Sequence, residues 1–205
     1  MTNKISLSQF LNFSVIVHTG AKLNAVRRMK NDDYFPGGDY YRDLRSVIHK
    51  YTQGQSSLEA IMEVAENSKE NQRANFIKDA TKFINFMKKH DVEFFEVGGA
   101  TWSYKDKISV SASPEYGMIC DGQRYFVKNF YRKRNPKDKI TLKKMRPTLT
   151  LMRTATSQVD LQGANAAILN LQNGQLIFDD KPVNTEKLLE LQADAAQLAD
   201  IWDMV

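Results

Sequence analysis

Apolar positions in the first half of the chain recur every three or four residues. In the second half they alternate, so the pattern predicts helices first and strands after them. Leu7, Phe10, Leu11, Ser14 and Val17 share one face of a helix over 7–18, with Ser6 or Ser8 as its cap. The alternation of Leu11, Phe13, Val15 and Val17 also fits a strand there. Gly20 is expected to break the element, and Leu23 to Met29 to form a short second helix. Pro36-Gly37-Gly38 reads as a turn, after which Asp39 should cap a helix through Tyr51, with Tyr40, Leu44, Val47 and Ile48 facing inward. Ser56 and Glu59 have capping-box spacing ahead of Leu58, Ile61, Met62 and Ala65. A longer helix over 70–90 carries the stripe Phe76, Ile77, Ala80, Phe83, Ile84 and Met87. It ends on Lys88, Lys89 and His90, where positive charge suits the helix dipole.

Past Gly98-Gly99 the period shortens to two, in Thr101–Tyr104 and Ile108–Ser111. Asp121-Gly122 joins Tyr116–Cys120 to Arg124–Tyr131 as a tight hairpin, because Asp-Gly tolerates the positive φ such turns demand. Asn173-Gly174 does the same between Ala166–Leu171 and Gln175–Phe178. Between the hairpins, Thr141–Arg153 reads as a helix that Pro147 should kink or break. The last helix begins at Thr185, with Leu188, Leu191, Ala195, Leu198, Trp202 and Val205 recurring every three or four residues. The stripe is too short for a sustained coiled coil, so packing on the chain's own sheet is favoured over docking through Leu188, Leu191, Leu198 and Trp202. The expected fold is α+β. A helical part spans 1–95, and an α+β core spans 96–205 with an antiparallel meander, an inserted helix, a second hairpin and a C-terminal amphipathic helix, all in one continuous folding unit.

With 42% hydrophobic and 26% charged residues, the 205-residue chain can bury a core and is not of disordered type. Gln9, Asn12 and Ser14 interrupt the apolar stretch behind Lys4, which argues against a signal peptide. No run approaches the length of a membrane span. A single cysteine, Cys120, excludes an internal disulfide and a cysteine-based zinc site within one chain, and it suits a reducing, cytoplasmic compartment.

Charge is distributed unevenly. Arg124 to Arg146 holds ten basic residues (Arg124, Lys128, Arg132, Lys133, Arg134, Lys137, Lys139, Lys143, Lys144 and Arg146) against one acid, Asp138, a balance of +9. Asp179 to Val205 holds seven acids against Lys181 and Lys187, a balance of −5. Tyr125, Phe126, Phe130 and Tyr131 interleave the cations, and the densest charge falls at the strand end and in the following loop, Arg132 to Lys139. Such a loop can neutralise phosphates without reading sequence. The equally weighted alternative is a solvated loop paired with the chain's own acidic helix. His18, His49 and His90 lie in three different elements without ligand spacing and read as ordinary histidines. No phosphate-cradling glycine motif is present.

Two resemblances add to this. The order helix, strands, helix, strand over roughly 70–178 resembles the PD-(D/E)XK nuclease superfamily. Pro114-Glu115 stands at its proline–acid pair, and Phe126-Val127-Lys128 at its acid–any–lysine position. The resemblance implies Mg²⁺ held by two acids, with a lysine stabilising the attacked phosphate. Phe126 replaces the second acid and cannot bind metal, and the only acid close by in sequence is Asp121, which a turn also favours. Phe10-Leu11-Asn12-Phe13, Asp39-Tyr40-Tyr41, Leu44-Arg45, Pro114-Glu115-Tyr116-Gly117, Tyr125 to Arg132, and Ile168-Leu169-Asn170 followed by Asn173-Gly174-Gln175-Leu176 resemble a family of uncharacterised bacterial proteins, from which no activity follows.

The sequence thus favours a non-catalytic protein without a cofactor, contacting nucleic acid or an acidic protein through Arg124–Arg146. The alternatives are a divergent Mg²⁺-dependent nuclease using Glu115, Asp121 and Lys128, and an assembly protein pairing through its last helix.

Overall fold

The computed structural model describes residues 2–31, 40–131, 140–161 and 163–205. Their order is β1 (Asn3–Ser6), α1 (Leu7–Ser14), α2 (Thr19–Asn31), α3 (Arg42–Thr52), α4 (Leu58–Glu66), α5 (Glu70–Lys89), β2 (Val92–Phe95), β3 (Ala100–Tyr104), β4 (Ile108–Ser111), β5 (Tyr116–Cys120), β6 (Gln123–Phe130), α6 (Leu142–Thr154), β7 (Thr156–Ser157), β8 (Asn165–Asn170), β9 (Gln175–Phe178) and α7 (Thr185–Met204). This is an α+β protein with a C-terminal helix.

The framework is a five-stranded sheet in the order β2-β5-β6-β8-β9. β2, β5 and β6 pair antiparallel, β6 and β8 pair parallel, and β9 returns antiparallel on β8. The parallel step needs a crossover, and α6 lies within it. Successive residues of a strand face opposite sides, and both sides here are covered. Tyr125, Val127, Ala167 and Leu169 join a core with Phe76, Phe83, Leu44 and Ile61 of α3–α5. Phe126, Phe130, Ala166 and Ile168 join a second core with Phe10, Phe13, Leu149, Leu191 and Leu198 of α1, α6 and α7.

The expected single meander is divided between two sheets. β3 and β4 leave the main sheet and form a smaller one, β1-β4-β3-β7, in which β1 runs parallel to β4. The first 95 residues do not form a layer of their own, since α1 packs on α6, α2 on α7, and α3–α5 on the far face of the main sheet. Both hairpins form. Asp121 and Gly122 have φ of 51° and 81°, and Gly174 has 77°.

Two local expectations need correction. Gly20 lies inside α2. The cap of α4 is Ser57, whose hydroxyl accepts from the Ala60 N–H, not Ser56 paired with Glu59. Of the two outcomes expected at Pro147, a break does not occur, since α6 continues through it. Among the described residues, no helix is long and apolar enough to cross a membrane. The expected turn at Pro36-Gly37-Gly38 and the Asp39 cap lie outside the described residues.

Candidate functional site

A cleft of about 380 Å³ opens between α3 and the start of β5, lined by Arg42, Arg45, Ser46, His49, Glu115 and Tyr116, with Ile48 and Pro114. Arg42, Arg45 and His49 are spaced three and four residues apart, which puts them on one face of α3. That face turns toward the strand end carrying Glu115.

Glu115 is nearly enclosed, with 10% of its side chain exposed. The Lys128 ammonium donates to its Oε1 at 2.6 Å. Asn129 Nδ2 and the Tyr131 hydroxyl donate to its Oε2 at 2.8 and 3.2 Å. Arg45 Nε stands 3.7 Å from Oε1. The Tyr116 hydroxyl donates to Asn129 Oδ1 at 2.8 Å and fixes that amide's orientation. Both phenols are held well above the ordinary tyrosine range, first by burial and then by the Glu115 carboxylate, so both remain neutral donors. The guanidinium of Arg45 lies 5.5 Å from the centre of the Tyr131 ring, which stacks on Tyr41, which stacks on Phe76. An aromatic ladder therefore runs from the core to Arg45 at the cleft.

Of the residues singled out for chemistry, the fold joins Glu115 and Lys128 but not Asp121. Asp121 forms the turn at the other end of the β5–β6 hairpin, six residues from Glu115 and on the order of 20 Å away along the strand. There its Oδ2 meets His90 Nδ1 at 2.7 Å, and its Oδ1 accepts from the Asp91 N–H at 3.1 Å. These residues do not fit the Mg²⁺ pair that the nuclease resemblance implies. Both Glu115 oxygens already accept from protein donors, Phe126 faces the core, and Asp121 is remote.

The described cations of the basic segment do not form one continuous surface. Arg124 lies over the Phe95 ring at 4.6 Å. Lys128 is buried and paired with Glu115, so it is not a surface contact for any partner. Arg146 pairs with Glu190 at 3.1 Å and lies 3.6 Å from Asp179, so here the acidic C-terminal segment does neutralise a cation of the basic one. Lys143 and Lys144 stand in the first turn of α6, Lys143 exposed and Lys144 half-buried. Tyr125, Phe126, Phe130 and Tyr131 are core residues, which removes them as stacking platforms for bases. Arg132, Lys133, Arg134, Lys137 and Lys139 lie outside the described residues. On α7, Leu191 and Leu198 are buried in the chain's own core, Trp202 is half-buried against it, and Leu188 is at the margin of exposure.

Arg42, Arg45, Asn129 and Tyr131 do not stand out as a group in the sequence. The signal present is the i, i+3, i+7 spacing of Arg42, Arg45 and His49 within α3; the Asn129 and Tyr131 contacts to Glu115 exist only through strand pairing. No protein-family model matches the chain, and no curated protein matches it.

Proposed function

We propose that this is a non-catalytic binding protein that engages the phosphates of nucleic acid through the α3–β5 cleft and the basic run that follows β6 in sequence. One observation carries this reading. Among the described residues lining the cleft, two arginines and a histidine stand beside a single carboxylate, Glu115, and that carboxylate already accepts from Lys128, Asn129 and Tyr131. Two guanidinium groups on one face of α3 thus line the cleft, and the phosphates of a nucleic acid would share or displace the contacts they already make. Chain connectivity supports the reading. In sequence, Arg132 follows Tyr131, whose hydroxyl donates to Glu115, and the run to Lys139 leads to Thr141, which starts α6 without a side-chain cap bond, with Lys143 and Lys144 in its first turn. Cations at the positive end of a helix dipole oppose that dipole, and a bound anion relieves the conflict. Because the interleaved aromatics are core residues, contact is to backbone phosphate and is tolerant of sequence.

The test is fluorescence anisotropy on a mixed-sequence oligonucleotide over a salt series. Affinity is expected to fall log-linearly with salt. It should fall about tenfold, about 1.4 kcal/mol, in Arg42→Glu and again in Lys133→Glu/Arg134→Glu/Lys137→Glu. Binding indifferent to those reversals, or preference for an acidic peptide over the oligonucleotide, contradicts it. Strand cleavage that requires Mg²⁺ and vanishes in Glu115→Ala would return the protein to the nuclease class.

A further inference from the structure

A second cluster lies at the opposite end of the β5–β6 hairpin, away from the cleft. His90 Nδ1, the Cys120 thiol and a carboxylate oxygen of Asp121 all lie within 4.8 Å of one another. The geometry points to a zinc site built from these three residues, with its fourth position open to solvent. Their donor set is one imidazole nitrogen, one sulfur and one carboxylate oxygen. That mixture suits borderline-soft Zn²⁺ and not Mg²⁺, which demands oxygen.

Three different elements bring the donors together, and each is fixed by contacts the ion would not supply. His90 ends α5 with its N–H bonded to the Phe86 carbonyl, and its ring lies 4.5 Å from the Phe86 ring. Cys120 is held on both sides in the sheet, opposite Val92 on β2 and Gln123 on β6. Asp121 is set by its turn, by the Asp91 N–H on its Oδ1, and by its own N–H donating to the Asp91 carbonyl at 3.0 Å. The C-terminal end of the α5 dipole adds partial negative charge beside the site. In a tetrahedral zinc centre with ligand bonds of about 2.0–2.3 Å, neighbouring donors stand about 3.3–3.7 Å apart. The 2.7 Å His90–Asp121 contact therefore opens by less than about 1 Å when the ion replaces the proton held there. The Cys120 thiol loses its proton to solvent as it ligates, so loading releases protons and strengthens with pH. Asp121 has 58% of its side chain exposed, so the ion has an entry path and a water can complete the shell. One cysteine builds no multi-cysteine site, but it suffices when the fold adds a histidine from 30 residues upstream and the adjacent aspartate.

The test loads untagged, metal-stripped full-length protein with Zn²⁺ against a chromophoric chelator, and in parallel with Co²⁺ followed by absorbance. One equivalent is expected with Kd of about 1 μM or tighter, with tetrahedral Co²⁺ bands and a thiolate-to-cobalt charge-transfer band. Cys120→Ser should abolish that band. His90→Gln and Asp121→Asn should each weaken Zn²⁺ at least tenfold. Asn keeps the left-handed turn conformation, so Asp121→Asn separates loss of a ligand from loss of the hairpin. Saturating Zn²⁺ should raise Tm in the parent chain and not in the variants. Absence of a thiolate band, or Zn²⁺ affinity unchanged in Cys120→Ser and Asp121→Asn, would overturn the site and leave a His90–Asp121 ion pair closing the hairpin.

Discussion

Glu115 shows how a residue type that suggests chemistry can serve architecture. Removing a buried charge from water is expensive, and attraction between partners offsets that cost only when the remaining hydrogen bonds are made. Here they are made, with Lys128, Asn129 and Tyr131 all donating to one carboxylate. Glu115→Gln leaves Lys128 charged and buried, and should cost about 3–5 kcal/mol in urea unfolding. Glu115→Gln/Lys128→Met should recover most of that loss; a double variant as unstable as the single one would show the pair is not the tie. Asp179 gives a pH-dependent counterpart. Burial pushes its carboxyl up, but the Lys187 ammonium at 2.8 Å, the Lys181 N–H, and the charges of Lys187 and Arg146 outweigh that and hold it below the usual range. A carboxyl lowered by folding stabilises the folded state above its unfolded pKa of about 3.9, and that stabilisation is lost as pH falls through the lowered folded value. Asp179→Asn should therefore be about 1–3 kcal/mol less stable than the parent at pH 7, with the gap closing below about pH 4 in denaturant titrations. A gap constant with pH would contradict this.

At the scale of elements, patterns that depend on a residue's near neighbours were legible, and pairings between distant strands were not. The two hairpins and helices α5 and α7 could be read because turn chemistry and helical period are local. β1 was hidden: Asn3–Ser6 carries one buried side chain, Ile5, and becomes a strand only by lying parallel to β4 over a hundred residues away. The meander could not be divided in advance, since period two states that a segment is a strand and not which sheet receives it. Gly20 falls in the first turn of α2, where even a side chain would meet nothing within 4 Å, so helix continuation meets no obstacle. α7 supplies the prediction at this scale. Leu198 is fully buried, so Leu198→Ala should cost about 2–5 kcal/mol. Leu189 is 60% exposed, so Leu189→Ala should stay within about 0.5 kcal/mol in the same thermal or urea measurement. Equal losses at both positions would contradict the packing of this helix on α6 and α2.

For the whole molecule, net charge along the sequence proved a poor map of charge in space. The described cations of Arg124–Arg146 divide into one lying over Phe95, one in a buried pair, one paired with the C-terminal acids, and two lysines at a helix start. The basic side chains that line the α3–β5 cleft, Arg42, Arg45 and His49, come instead from α3, which carries no conspicuous charge run. Glu115 and Lys128 stood out in the sequence through the nuclease resemblance, and the β5–β6 hairpin brings them together; the α3 side of the cleft and the His90–Cys120–Asp121 cluster required the tertiary fold. Where an anion settles on this molecule decides its proposed role, and amide nitrogen–proton correlation spectra during titration with a short mixed-sequence oligonucleotide read that position residue by residue. Shifts are expected to concentrate at Arg42, Ser46, His49 and Tyr116 and to diminish with added salt. Shifts centred on α7 or on the hairpin tip at Asp121, or no shift at low salt, would contradict binding in the α3–β5 cleft.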